Sequence, residues 1–247
     1  MTSKIVFTEP AAAQATKIVQ LFEHLELFSA GQPPQHTLFI LGRAPLSPLT
    51  ALQPPRDQLL LIDPPADVRQ RFKLDGDVAV LFTGAPQDVG LPQVQTVAGG
   101  VAHLRVGEHF LDIYTQSQST VIYLPALGLL CGGSFGSDAT LPVLATGSDG
   151  SEELDTLRLL ARLVKQSRFQ LYIPQVGVLS HVQTEVMARL AQDVGYLHTL
   201  RRVVPAIRQR GEEFSAVLAL ADSLLPEGKQ SELCRKIHLG NLEKLFA

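Results

Sequence analysis

A soluble domain of mixed α and β structure is what this sequence predicts, and three observations predict it. The 247 residues are near the upper size of a single domain, and 45 % apolar against 18 % charged residues supplies a core and argues against disorder. The first hundred residues hold eleven of the sixteen prolines, including the pairs Pro33-Pro34, Pro54-Pro55 and Pro64-Pro65. Such pairs exclude long helices and suggest short strands joined by stiff loops. From Ser151 onward the apolar spacing becomes helical.

Charge and composition exclude several function classes. A net charge of −3 leaves no electrostatic footprint for nucleic acid, and with Trp absent and only four Tyr, stacking platforms for single strands are missing too. Two Cys cannot build a disulfide scaffold, which fits a reducing compartment. No apolar signal region follows Met1, and the apolar stretches, such as 121–131, fall short of the roughly 18 residues that argue for a membrane span. A cytoplasmic protein without a membrane partner is expected.

The elements follow in order. Lys17 to Phe28 fits either a helix face, through Ile18, Leu21, Phe22 and Leu25, or an edge strand, through Leu25 and Leu27. His36 to Leu41, Gln58 to Ile62 and Val78 to Phe82 are short apolar runs bounded by Pro, Gly and Asp, as buried strands are. Val106-Gly107 with Phe110 to Tyr114 predicts a hairpin; Val121 to Leu124 and Gly128 to Cys131 predict another. Ser151 is a suitable N-cap for a helix whose face is Leu154, Leu157, Ala161 and Val164. Phe169 to Ile173 reads as a strand. Beyond His181 the pattern is helical, with Val186, Leu190, Val194 and Leu197 as a stripe, and Pro205 and Pro226 are expected to kink or divide it.

Seven segments, taken in chain order, resemble the metallo-β-lactamase superfamily of zinc or iron hydrolases and related oxidoreductases. Leu59 to Asp63 resembles the family's first strand ending in Asp, and Val80 to Thr83 the strand leading into T-H-x-H-x-D-H. His109 to Thr115 resembles the approach to the third His. Val121 to Pro125 with Leu127 to Leu130 resembles the hairpin before T-G-D. Gly150 to Gln166 falls where the family has a helix, and Leu171 to Gly177 where P-G-H-G closes the site. More weakly, His238-Leu239-Gly240-Asn241-Leu242 resembles an H-x-x-N-L terminal helix. The resemblance implies an α+β fold, a four-layer αββα sandwich over residues 1–180, with residues 181–247 as a helical extension packed on it.

The family's chemistry needs imidazoles and carboxylates converging on a metal that activates water. Here the corresponding positions read Gly84, Pro86, Asp88 and Val89, then Gln118, Gly133 and Val176. Only Asp88 matches the family. One carboxylate and one amide cannot hold zinc, so no catalytic residue, metal ligand or cofactor is expected, and no stoichiometric zinc, iron or manganese. In sequence the seven His do not cluster.

Each remaining candidate has two readings. Asp88 either caps backbone N–H groups in a turn or anchors a ligand in a former cleft; Gln118, in the loop Thr115 to Thr120, either lines a polar pocket or sits in a solvated turn. Cys131 is a nucleophile or a buried strand thiol; no basic neighbour in sequence lowers its pKa. Gly132, Gly133 and Gly136 match no phosphate-loop spacing, so flexibility is the better account. Arg201, Arg202, Arg208 and Arg210 are either a solvated helix face or an anion-binding patch. The expected function is a metal-free pseudoenzyme with a binding, scaffolding or regulatory role, for an unknown protein or small-molecule partner, with a homodimer one expected assembly. A hydrolase of the same superfamily using a non-classical site is the alternative. The two readings differ at the cleft: an enzyme should converge a nucleophile or acid–base pair there, whereas on the pseudoenzyme reading Val89 and Val176 are expected to face each other across a partly closed cleft.

Overall fold

The computed structural model describes residues 6–7, 16–42, 57–116, 118–166 and 168–247; Pro54-Pro55 and Ser117 lie outside the described residues. Two five-stranded mixed sheets form the body. The amino-terminal sheet contains β2 (Lys17–Phe22), β3 (Leu25–Ala30), β4 (Gln35–Gly42), β5 (Gln58–Ile62) and β7 (Asp77–Leu81), hydrogen-bonded in that order. The second sheet runs β12 (Leu171–Pro174), β11 (Leu129–Gly133), β10 (Ser119–Leu124), β9 (His109–Gln116) and β8 (Gly100–Val106). A two-stranded pair, β1 (Val6–Phe7) with β6 (Phe72–Lys73), stands apart.

Strand periodicity explains the layering. Alternate residues of a strand face opposite sides of a sheet, so a run that is apolar throughout must be buried on both. In β4 and β5, Leu38, Ile40, Leu60 and Ile62 face the inter-sheet core, whereas Phe39, Leu59 and Leu61 face outward into a second cluster. In β10 and β11, Ile122, Leu124, Leu129 and Cys131 face the inter-sheet core, and Val121, Tyr123 and Leu130 meet the helices. Both sheets are therefore the middle layers of a sandwich. The ambiguity at Lys17 to Phe28 resolves as the hairpin β2–β3, with Glu23-His24 at its turn.

The two outer layers differ in thickness. The helical layer consists of α2 (Ser151–Gln166), α3 (Gln183–Gln209), α4 (Phe214–Leu224) and α5 (Glu232–Phe246), sharing one apolar cluster with the second sheet. On the other side, among the described residues, the cover is one turn of helix, α1 (Val68–Arg71), with β6 and the loop after β7. Phe72 fills that side, edge-on to Phe28 at 4.9 Å and to Phe39 at 5.0 Å between ring centroids.

Pro205 does not divide the C-terminal region as expected; α3 continues through it to Gln209. One missing amide is outweighed because Val204 and Ile207, on either side, are buried in the helical cluster, and tertiary packing supplies most of a helix's stability. Pro226 does separate α4 from α5. The helices are fixed by polar contacts as well. Buried Lys229 donates to the carbonyls of Ser137 at 2.5 Å and Thr140 at 2.7 Å, and buried Asp193 of α3 accepts from the Gly136 amide at 2.6 Å. His238 and Asn241 are buried too: Tyr196 Oη lies 2.9 Å from His238 Nδ1, and Asn241 accepts from Leu144 and donates to the Pro142 carbonyl.

Candidate functional site

Six strand ends meet at one edge of the sandwich. Asp63 follows β5 and Thr83 follows β7, parallel neighbours whose register pairs Ile62 with Leu81. From the other sheet, the Thr120 amide donates to the Thr83 carbonyl at 2.8 Å, and the Gln175 amide to the Gly133 carbonyl at 2.8 Å. The His36 amide donates to the Gln175 carbonyl at 2.9 Å, tying the start of β4 to the end of β12. The segments that resemble the family's motifs are thus brought to a common end.

Asp63 is the chemical centre of this edge. Its carboxylate accepts from the Thr83 amide at 2.8 Å and from the Thr83 hydroxyl at 2.5 Å, one bond to each oxygen. Its backbone has φ +52°, a left-handed conformation that Asp and Asn tolerate better than other L-residues. Burial pushes the carboxyl up to about 6 in spite of both hydrogen bonds. Gly133 packs over this pair: it has φ +64°, and a Cβ there would lie 3.0 Å from Thr83 Oγ1, so a side chain is excluded twice over.

A cleft of about 690 Å³ opens beside it, within the usual range of small-molecule sites. His36, Asp63, Arg71, Gln87, Gln175 and Val176 supply much of its lining. His36 is fixed at both nitrogens: Nε2 lies 2.6 Å from the Gly177 carbonyl and Nδ1 lies 2.8 Å from Ser29 Oγ. A carbonyl can only accept, so Nε2 carries the proton and Nδ1 accepts from the Ser29 hydroxyl. Burial lowers the pKa of His36, which agrees with a neutral ring. Arg71 bonds Asp67 at 2.7 Å. Of these residues, His36, Arg71, Gln87 and Gln175 carried no site signal in the sequence; their convergence depends on four separate segments.

The residues at the degenerate motif positions do not form one pocket. Val176 lines the cleft, whereas Gly84, Pro86 and Gln118 line a neighbouring groove of about 280 Å³ with Gln93 and Gln95. Asp88 is exposed and accepts from the Gly90 amide at 2.9 Å, the local turn bond of its first reading. Val89 is buried in the outer cluster with Phe82 and Val80. The valines consequently do not close the cleft from opposite walls. The loop after Thr83 buries the Val89 side chain against the outer face of the sheet, where apolar area is removed from water. Cys131 lies in the inter-sheet core, and burial pushes its thiol well up, which removes the nucleophile reading. In the basic run, Arg201 pairs with Asp149 at 3.0 Å and Arg210 with Glu212 at 3.8 Å.

The donor set at this edge does not fit the metal that the fold family implies. Asp63 has both oxygens bonded to Thr83, Asp88 faces its own turn, and His36 has both nitrogens bonded. Among the described residues, the one group of three His, Cys, Asp or Glu ligand atoms gathered closely enough for an ion is His24, Glu108 and His109, at another place. The histidines lie far apart in sequence, and the fold brings two of them together. His24 and Glu108 are 84 residues apart and on different sheets, so only the tertiary fold joins them.

The comparisons agree with this architecture. No protein-family profile matches the sequence, and no curated protein sequence matches it. Among solved structures, the inverting sec-alkylsulfatase Pisa1 from Pseudomonas sp. superposes with a TM-score of 0.62 at 12 % identity over 94 % of this chain. This chain spans only 50 % of that alkylsulfatase. A β-lactamase domain protein from Burkholderia ambifaria gives a TM-score of 0.57 at 11 % identity, covering 98 % of this chain and 90 % of its own. Two mixed sheets face to face with helices outside, in this order, are the metallo-β-lactamase fold, and this chain has it.

Proposed function

We propose that this protein is a pseudoenzyme of the metallo-β-lactamase fold, with a binding role exercised at the cleft beside Asp63. The observation that carries the reading is the state of the donors there: the Asp63 carboxylate and the His36 ring are both engaged by the protein itself. Groups held in this way position loops and leave no free base or metal ligand for hydrolysis. Gln87 and Gln175 around the cleft favour a small polar ligand with an amide group. Fold likeness to an alkylsulfatase does not carry its activity to this chain.

The test has two arms. Hydrolysis of thioester, lactam, phosphodiester and sec-alkyl sulfate substrates is expected to run at the buffer rate. A thermal-shift screen of small polar amides is expected to yield ligands that stabilise the wild type and lose their effect in Gln175→Ala. Saturable turnover that disappears in Asp63→Asn would overturn the reading and establish a hydrolase with a non-classical site.

A further inference from the structure

Away from the cleft, two turns bring together chemistry that the proposed binding role does not use. His24 occupies the β2–β3 turn with φ +65°, and its carbonyl accepts from the Leu41 amide at 2.8 Å. Glu108 and His109 follow Gly107 at the β8–β9 turn. The turns belong to different sheets, and their close approach is fixed by backbone: a Cβ at Gly42 would lie 2.5 Å from the Gly107 nitrogen. Leu41 is five residues along β4 from His36, or about 16 Å at roughly 3.3 Å per residue, so this place is separate from the cleft.

The side chains converge there. Glu108 Oε1 lies 3.1 Å from His24 Nδ1 and 4.0 Å from His109 Nε2. One ligand atom from each of the three residues lies within 4.8 Å of the other two. Glu23 Oε1 is 3.5 Å from His24 Nε2. His109 is only 9 % exposed, and the Nε2 atoms of both imidazoles are enclosed without a hydrogen-bond partner. The enclosed, unbonded Nε2 of His109 beside the Glu108 carboxylate needs an explanation, because burying an unsatisfied polar group is costly.

We propose that His24, Glu108 and His109 form a site for a divalent transition-metal ion, Zn²⁺ first among them. Two imidazoles and a carboxylate are donors that zinc favours, whereas calcium and magnesium prefer oxygen alone. Zinc ligands at about 2.0–2.1 Å in a tetrahedron stand about 3.4 Å apart. The 3.1 Å and 4.0 Å spacings about Glu108 bracket that value, and Glu108, exposed over 66 % of its side chain, is free to adjust. A bound ion would join the two sheets at this end and stabilise the fold by linkage.

The experiment uses tag-free, chelator-treated protein titrated with Zn²⁺ alone, followed by calorimetry and melting temperature, and with Co²⁺ for its visible absorption. One equivalent is expected, with a rise in melting temperature and a four-coordinate Co²⁺ spectrum. His109→Gln and Glu108→Gln are each expected to weaken binding at least tenfold, whereas Asp63→Asn, at the cleft, leaves it unchanged. If His109→Gln fails to fold, the surface change Glu108→Gln still decides. Absence of stoichiometric binding, or unchanged affinity in every folded variant at this site, overturns the proposal without touching the proposed cleft function.

Discussion

Replacing Asp63 by Asn tests the chemistry assigned to the cleft edge. The wild-type carboxyl is raised from 3.8 to about 6, chiefly by burial. A folded-state pKa above the unfolded one means that the folded protein holds more protons between those values. The contribution of this carboxyl to stability is therefore greatest below about pH 4 and falls as the pH rises through 6, by about 3 kcal/mol for an elevation of this size. Asparagine cannot ionise, tolerates the φ of +52°, and retains an oxygen to accept from the Thr83 amide. Its amide N–H can in turn donate to the Thr83 hydroxyl oxygen. Asp63→Asn should consequently gain on the wild type by about 3 kcal/mol between pH 4 and pH 7.5. Asp63→Ala should lose stability at every pH, because two Thr83 donors are left unbonded at about 1–3 kcal/mol each. Urea unfolding of the three proteins at several pH values measures these differences. Parallel pH profiles for wild type and Asp63→Asn would refute the reasoning, since they would place the carboxyl in an ordinary environment.

Further outcomes follow from the same contacts. Lys229→Met removes two bonds to carbonyls and leaves Asp193, its electrostatic partner held at about pKa 7, without a buried cation. A loss of about 3–5 kcal/mol is expected in urea unfolding, and a loss below 1 kcal/mol would show that the helical layer is held by apolar contacts alone. Tyr196→Phe strips the hydroxyl that meets His238 Nδ1 at 2.9 Å and Asn241 Nδ2 at 3.2 Å, and should cost about 1–3 kcal/mol. A neutral result in the same assay would mean that His238 and Asn241 find other partners. Three apolar clusters hold the sandwich, so chelator-treated protein should still unfold in one cooperative transition. A broad or multiphasic curve would assign the fold to metal instead.

Much of the fold was legible in one dimension. Apolar runs such as Gln58 to Ile62 and Val121 to Leu124 are strands because their continuous hydrophobicity requires burial on both faces, and both became middle strands of the sandwich. The helix from Ser151 was readable in the spacing of Leu154, Leu157 and Val164, all of them buried. Which residues stand at the positions that resemble the family's motifs, Gly84, Pro86 and Val89 among them, was equally readable along the chain.

Local pattern did not reach the rest. Lys17 to Phe28 satisfied both periods, and pairing of Leu25 to Ala30 with β4 settled it as strand. Pro205 was tolerated because the buried neighbours Val204 and Ile207 outweigh one absent amide bond. Val89 turned to the outer cluster, a choice set by which apolar surface lay within reach of its loop. The engagement of Asp63 by Thr83, 20 residues apart, required two parallel strands in register. The meeting of His24 with Glu108 and His109 required two sheets to close on each other. Sequence determined where hydrophobic periodicity lies, since that is a property of neighbouring residues. Which polar groups face one another was decided by tertiary structure, because a hydrogen bond or a metal site depends on distances of a few ångströms between segments far apart in the chain.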